Sequence, residues 1–333
     1  MSHAAMQQNR DPASRPLALA LQGGGSFGAF TWGVLDRLLA EPGVPIAAIS
    51  GASAGAVNAV LLADGLLAGG RAEARARLAR FWRLISDWSG MSGIPALGSV
   101  LAMTELPMAP FGFAIHGPDP LKELLGDLVD FARLRAERPL PLLVAATRVR
   151  DGEARIFRED EVTLDAVLAS ACLPLLREAV EIDGEAYWDG GYSANPPMRE
   201  LIRATTAEEL LLVQLAPDTR EASPRLRHDI HNRSLEIAFS APLKRELQAI
   251  EDMRGLCRAA RNARPPLCDQ FDRLRLHRLS LWDELDQSGG ANPANLSWPF
   301  LRRLFGAGEA AAERWLAATM PLTEDGAIAA AHR

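Results

Sequence analysis

Lysine is almost missing from this chain: Lys122 and Lys244 are the only two, and arginine carries the rest of the positive charge. With arginine so widely used, no single arginine position is informative. Basic residues are also too few: 36 Lys and Arg face 42 Asp and Glu, for a net charge of -6. That balance excludes a general nucleic-acid binder. Without a basic patch it gives no sign of strong attraction to anionic membranes. Cysteine is scarce, and Cys172, Cys257 and Cys268 have no C-x-x-C spacing. Their odd number favours reduced thiols in a reducing compartment. The first sixteen residues lack the apolar core of a secretory signal. No uninterrupted apolar stretch reaches the ~18 residues of a spanning helix. The expectation is a cytoplasmic protein with at most peripheral membrane contact.

What is present is a chain of 333 residues with 48% hydrophobic content, ample for a sizeable core. No internal repeat or linker divides it. We expect a tail over 1–15, one domain over 16–320, and a frayed end over 321–333.

The most informative stretch is Gly51-Ala52-Ser53-Ala54-Gly55. Before it, Ile46 to Ser50 reads as a short buried strand. After it, Val57, Val60, Leu61 and Leu67 recur at helical spacing. The G-x-S-x-G sequence therefore falls at a strand-to-helix turn, where small residues let the backbone bend sharply and expose the serine hydroxyl at the positive end of a helix. The same pattern also suits a serine that only caps the helix. Context must decide.

Leu17 to Leu21 is an apolar first strand, followed by Gly23-Gly24-Gly25-Ser26-Phe27-Gly28 and a helical pattern through Phe30, Val34, Leu35, Leu38 and Leu39. Consecutive amides in such a loop point at an anion near the helix N-terminus. A dinucleotide site would need an acidic residue at the end of the next strand, which here ends in Ser50-Gly51. No Gly-Lys-Ser/Thr follows, so a P-loop also fails. If the first two strands are neighbours, the loop's amides instead stabilise the oxyanion formed when Ser53 attacks an ester.

Further on, Arg71 to Ile85 reads as a helix burying Leu78, Phe81, Trp82 and Ile85, and Leu121 to Arg138 as another. The stretch 86–117 between them is rich in Gly, Pro and Met with few charges, which fits a lid over an acyl chain or an inert cover. Leu140 to Val149 is a core strand turning at Asp151-Gly152 into Ala154 to Phe157. Thr163 to Ala171 starts a helix, and Cys172 reads as a small buried residue. A hairpin across Asp183-Gly184 ends at Asp189-Gly190-Gly191. The first two Asp-Gly pairs are explained as turns. The third closes a strand, so Asp189 is a candidate catalytic carboxylate. Asn195-Pro196-Pro197 reads as an N-cap with proline at the first helical position. Glu209 to Ala216 and Leu274 to Leu281 are further strands. Ser234 to Ala263 is a long helix aligning Phe239, Leu243, Leu247, Ile250, Met253 and Leu256, and Trp298 to Met320 is a terminal helical pair.

Four motifs in this order, the glycine loop, Gly51 to Gly55, Ala169-Ser170-Ala171-Cys172-Leu173-Pro174 and Asp189-Gly190-Gly191, resemble the patatin-like phospholipase family over residues 17–215. The resemblance implies an α/β, three-layer fold with a central, mostly parallel sheet flanked by helices. It implies a Ser-Asp dyad hydrolysing lipid or other acyl esters, with no metal or organic cofactor. By position, Ser53 is the nucleophile and Asp189 the base. Amides of the loop Gly23, Gly24, Gly25, Ser26 and Gly28 form the oxyanion hole, and Gly51, Gly55, Gly190 and Gly191 support it. Phe27 stands where the family's loop has Arg or Lys, which makes the loop's surroundings more apolar. Residues 219–320 lie outside the resemblance and receive no chemistry.

Three alternatives stay open. A triad hydrolase would place a histidine after its acid; His277 lies in a strand-like run and reads as structural, and His228 and His231 as solvated. The substrate is a phospholipid, a soluble ester or a polyester-type hydroxyacyl ester. A catalytically inactive module would use the loop only to hold an anion or lipid.

Overall fold

The computed structural model describes residues 15–91, 119–174, 177–220, 223–260, 265–285 and 292–319. The proposed lid over 86–117 and both tails lie mostly or wholly outside them.

β1 (Leu17–Leu21), β2 (Ile46–Ala52), β3 (Leu142–Arg148), β4 (Ala154–Phe157), β5 (Val180–Ile182), β6 (Glu185–Asp189), β7 (Glu209–Gln214) and β8 (Arg275–Ser280) form one mixed sheet. The order is β5-β6-β3-β2-β1-β7-β8, with β4 also on β3. The strands from β3 to β8 along this path are parallel, and β4, β5 and β6 add an antiparallel margin.

Alternation along β1 makes the fold three-layered. Leu17, Leu19 and Leu21 face one core with residues of α1 (Gly28–Ala40), α2 (Ala54–Met91) and the last helix, while Ala18 and Ala20 face a second core on the other side. Side chains on a strand alternate between faces, so an apolar run such as this one is buried on both. α2 is kinked at Gly69 and Gly70, which accounts for the two separate helical patterns of the sequence.

The expected helix over Leu121 to Arg138 is two, α3 (Pro120–Leu128) and α4 (Phe131–Glu137), because the Asp130 carboxylate accepts from the Arg133 amide and starts a new helix. α5 (Leu164–Ser170) is capped by Thr163. The β5–β6 turn uses positive φ at Asp183 and Gly184, as its Asp-Gly pair predicts.

α6 (Met198–Ala204), α7 (Arg227–Ala259) and α8 (Pro266–Arg273) cover the second face. Leu243 and Ile250 of α7 are buried, but Leu256 is 66% exposed. At 3.6 residues per turn, position 256 has rotated off the face that position 257 occupies, and Cys257 is buried in its place. Cys257 is joined to Cys268 in a disulfide with Cα atoms 5.3 Å apart. The expectation of three reduced thiols is therefore corrected for this pair: α7 and α8 lie side by side with the two cysteines facing, which counting cysteines cannot show. Cys172 is the free, buried thiol.

The expected terminal helical pair is one helix, α9 (Trp298–Thr319). Its glycines do not break it. A Cβ on Gly33 of α1 would meet the Phe305 carbonyl oxygen at 2.0 Å, and one on Gly308 would meet that of Phe30 at 2.1 Å, so α1 and α9 pack backbone to backbone.

Candidate active site

β2 ends at Ala52, and the chain turns through Ser53 directly into α2. Ser53 has φ +52°, a left-handed conformation that costs a non-glycine residue on the order of 1 kcal/mol or more. Two contacts hold it there: its amide donates to Ser170 Oγ at 2.9 Å, and its carbonyl accepts from Val57 at 3.1 Å. The turn is also tight against β1, since a Cβ on Gly55 would lie 2.1 Å from the Leu21 carbonyl oxygen. The serine is 8% exposed and sits at the N-terminal end of α2.

Asp189 is the last residue of β6. It pairs with Ala146 of β3, and the adjacent Ala145 pairs with Ala52, so Ser53 and Asp189 stand at the same end of the sheet with β3 between them. Asp189 is completely buried. Its Oδ1 accepts from the Gly191 amide at 2.8 Å, while Oδ2 has no partner of ordinary geometry among the described residues. Burial pushes the carboxyl pKa up to about 7, against the lowering effects of the Gly191 amide and the Ser53 hydroxyl.

The segment Ala169 to Pro174 grips both residues by their backbones. Ser170 accepts the Ser53 amide, and the Cys172 carbonyl accepts the Asp189 amide at 2.8 Å. Thr147 Oγ1 donates to the Asp189 carbonyl at 2.8 Å.

Three of the five loop amides expected at the oxyanion hole have acceptors within the protein. The Gly23 amide donates to Asn195 Oδ1 at 2.7 Å, and that of Ser26 to the Pro293 carbonyl at 2.8 Å. The Gly28 amide is turned into the loop's own carbonyls at Gly25 and Ser26. These three amides are engaged. Those of Gly24 and Gly25 have no acceptor among the described residues. Gly25 has φ +59°, and a Cβ there would lie 2.5 Å from the Pro293 oxygen, so no other residue fits.

Asn195 is not the expected N-cap. α6 begins after Pro197 without a side-chain cap, and Asn195 is fully buried, donating through Nδ2 to the Phe239 carbonyl at 2.9 Å. Local pattern reading assigned it to the nearest helix, whereas its partners are distant in sequence. Phe27 packs edge-on to Trp282, with ring centroids 5.8 Å apart, and against Phe300 at 6.4 Å. The loop's surroundings are apolar, as its sequence indicates, and the C-terminal third supplies them.

His277 does not join the site. Its Nε2 lies 2.7 Å from the buried Glu209 carboxylate, its ring stands edge-on to Trp315, and Glu209 opens β7 at the end of the sheet remote from Ser53.

A model of the patatin-like phospholipase family matches residues 19–202. Among solved structures, VipD from Legionella pneumophila is similar at 14% identity and a TM-score of 0.40, covering 92% of this chain and 67% of that one. ExoU in its heterodimeric complex with SpcU, from the type III secretion system of Pseudomonas aeruginosa, is similar at 19% identity and a TM-score of 0.36. That alignment covers 71% of this chain and 53% of the other. Comparison with curated protein sequences found no match. With the family model extending over more than half of its length, the chain belongs to the patatin-like phospholipase family.

Proposed function

We propose that this protein is a serine acyl-ester hydrolase acting on lipid or other acyl esters, with Ser53 as nucleophile and Asp189 as its base. The observation that carries the reading is the buried Asp189 carboxylate, which has one oxygen fixed by Gly191 and the other unpartnered, beside a serine held in a left-handed turn. A carboxylate of ordinary pKa is a poor base for a serine hydroxyl. Raised to about 7, Asp189 accepts that proton more readily as Oγ attacks the carbonyl carbon.

The negative charge that develops on the carbonyl oxygen is met by the amides of Gly24 and Gly25, which have no competing acceptor among the described residues. Each such donor is worth on the order of 10² to 10³ in rate. The protonated Asp189 then passes its proton to the departing alkoxide, leaving an acyl-Ser53 ester. Water, deprotonated by Asp189, hydrolyses it and regenerates both groups. The apolar packing of Phe27 supports an uncharged, acyl-rich substrate region near the loop.

Hydrolysis of p-nitrophenyl esters of increasing chain length, run beside a phospholipid, tests the reading together with active-site labelling by a fluorophosphonate. Wild type should hydrolyse and label at Ser53, and Ser53→Ala and Asp189→Asn should lose turnover. Absence of both labelling and turnover in the wild type would favour an inactive lipid-binding module.

A further inference from the structure

The long helix α7 has two apolar faces, and only one is used. Phe239, Leu243 and Ile250 turn inward. Phe239 packs on Tyr192 with ring centroids 4.7 Å apart, and Leu243 and Ile250 enter the second core. Leu226, just before the helix, and Ile230 and Ile237 within it lie four and seven residues apart on nearly the opposite side. They are 61%, 50% and 52% exposed, and with Leu256 they are the large exposed hydrophobics among the described residues.

The same stretch reverses the charge of the rest of the protein. Between positions 225 and 245, Arg225, Arg227, Arg233, Lys244 and Arg245 face Asp229 and Glu236. Five cations against two carboxylates leave a net of plus three, on a chain whose net charge is -6. Arg225, Arg227 and Arg245 are exposed. An apolar stripe flanked by cations is the pattern of a helix that lies in a bilayer's interfacial plane, its apolar residues in the acyl boundary and its cations among anionic headgroups.

We infer that the face of α7 formed by Leu226, Ile230 and Ile237 docks on an anionic lipid surface. This deepens the ester-hydrolase reading and rests on it for its purpose. The stripe ends two residues before Phe239, whose carbonyl holds Asn195 and whose ring abuts Gly191 and Tyr192, next to the buried Asp189. A lipid surface seated there lies against the helix that buttresses the candidate site. The absence of a basic patch in the overall composition is thus only an average, because the stretch 225–245 carries a local excess of cations beside the stripe.

The test is co-sedimentation of the full chain with vesicles of phosphatidylcholine, with and without phosphatidylglycerol, for wild type and the double variant Ile230→Glu/Ile237→Glu. Both substitutions are on an exposed helix face, and circular dichroism checks folding. Wild type should bind the anionic vesicles and release them as salt rises, and the double variant should bind at least about tenfold more weakly. Its turnover of a soluble p-nitrophenyl ester should be unchanged. Equal binding by both proteins, or binding by neither, would overturn the assignment. So would a concentration-dependent dimer that the double variant abolishes, since the stripe would then face a second copy. Loss of soluble-ester turnover in the wild type would instead count against the hydrolase reading and leave the vesicle result standing.

Discussion

The amide of Gly23 and the side-chain oxygen of Asn195 meet at 2.7 Å in a buried hydrogen bond that spans 172 positions of sequence. It ties the loop after β1 to the loop after β6, and the other end of the same side chain ties both to α7 through the Phe239 carbonyl. Asn195→Ala would leave the buried Gly23 amide unpaired, at about 1–3 kcal/mol, and would release the part-buried contact to α7. We expect that loss in urea unfolding, with kcat falling at least about tenfold and KM little changed. An unaltered kcat would show that the loop keeps its shape without this residue.

Ser170 acts on Ser53 through the backbone alone. Ser170→Ala removes the acceptor that holds a strained φ, so the serine turn relaxes. Turnover should drop by about 10- to 100-fold and stability by about 1–3 kcal/mol. Fluorophosphonate labelling rates measured beside equilibrium unfolding separate the two effects.

Asp189 gives a pH dependence with a definite sign. As a base it must be ionised, so kcat/KM should rise with pH, be about tenfold below its plateau at one unit under the pKa of about 7, and level off above it. Stability runs the other way. The folded pKa lies above the unfolded one, so the contribution is complete below the ordinary carboxylate pKa and is lost as pH rises through about 7. Asp189→Asn keeps the Gly191 contact and removes the titration. Its free energy of unfolding in urea should exceed that of wild type by a margin growing from pH 4 to pH 8, on the order of a few kcal/mol. A constant margin would mean that the carboxylate is not desolvated.

Two glycines give a paired test of how α1 and α9 pack. At Gly33 a Cβ would collide with the Phe305 carbonyl, whereas at Gly306 it would meet nothing within 4 Å. Gly33→Ala should cost about 1–3 kcal/mol in thermal unfolding. Gly306→Ala should be neutral or stabilise by up to ~1 kcal/mol. Equal effects would refute the close approach.

The elements that could be read in advance were those written locally. The strand–turn–helix around Ser53, the two Asp-Gly hairpins and the strand ending at Asp189 follow from alternation, glycine and turn chemistry within a dozen residues. What escaped was set by distant partners. Asn195 looks like a helix cap because Pro196 and Pro197 follow it, but its side chain is claimed by Gly23 and Phe239. The amides of Gly23 and Ser26 look available within the loop but are taken by residues far along the chain. Leu256 fits the apolar spacing of α7 only if the slow drift of the helical phase is ignored. Cysteine pairing depended on how two helices pack, which composition does not encode.

The carbonyl of Pro293 on the Ser26 amide has a consequence for how this protein comes into being. All four sequence motifs are already translated by position 191, yet the loop that would receive the oxyanion is pinned from beyond position 290. Its aromatic neighbours Trp282 and Phe300 also arrive late. A growing chain therefore carries Ser53 and Asp189 well before the glycine loop beside them can be pinned. On the proposed reading, hydrolysis of an ester waits until the residues around position 293 have been made.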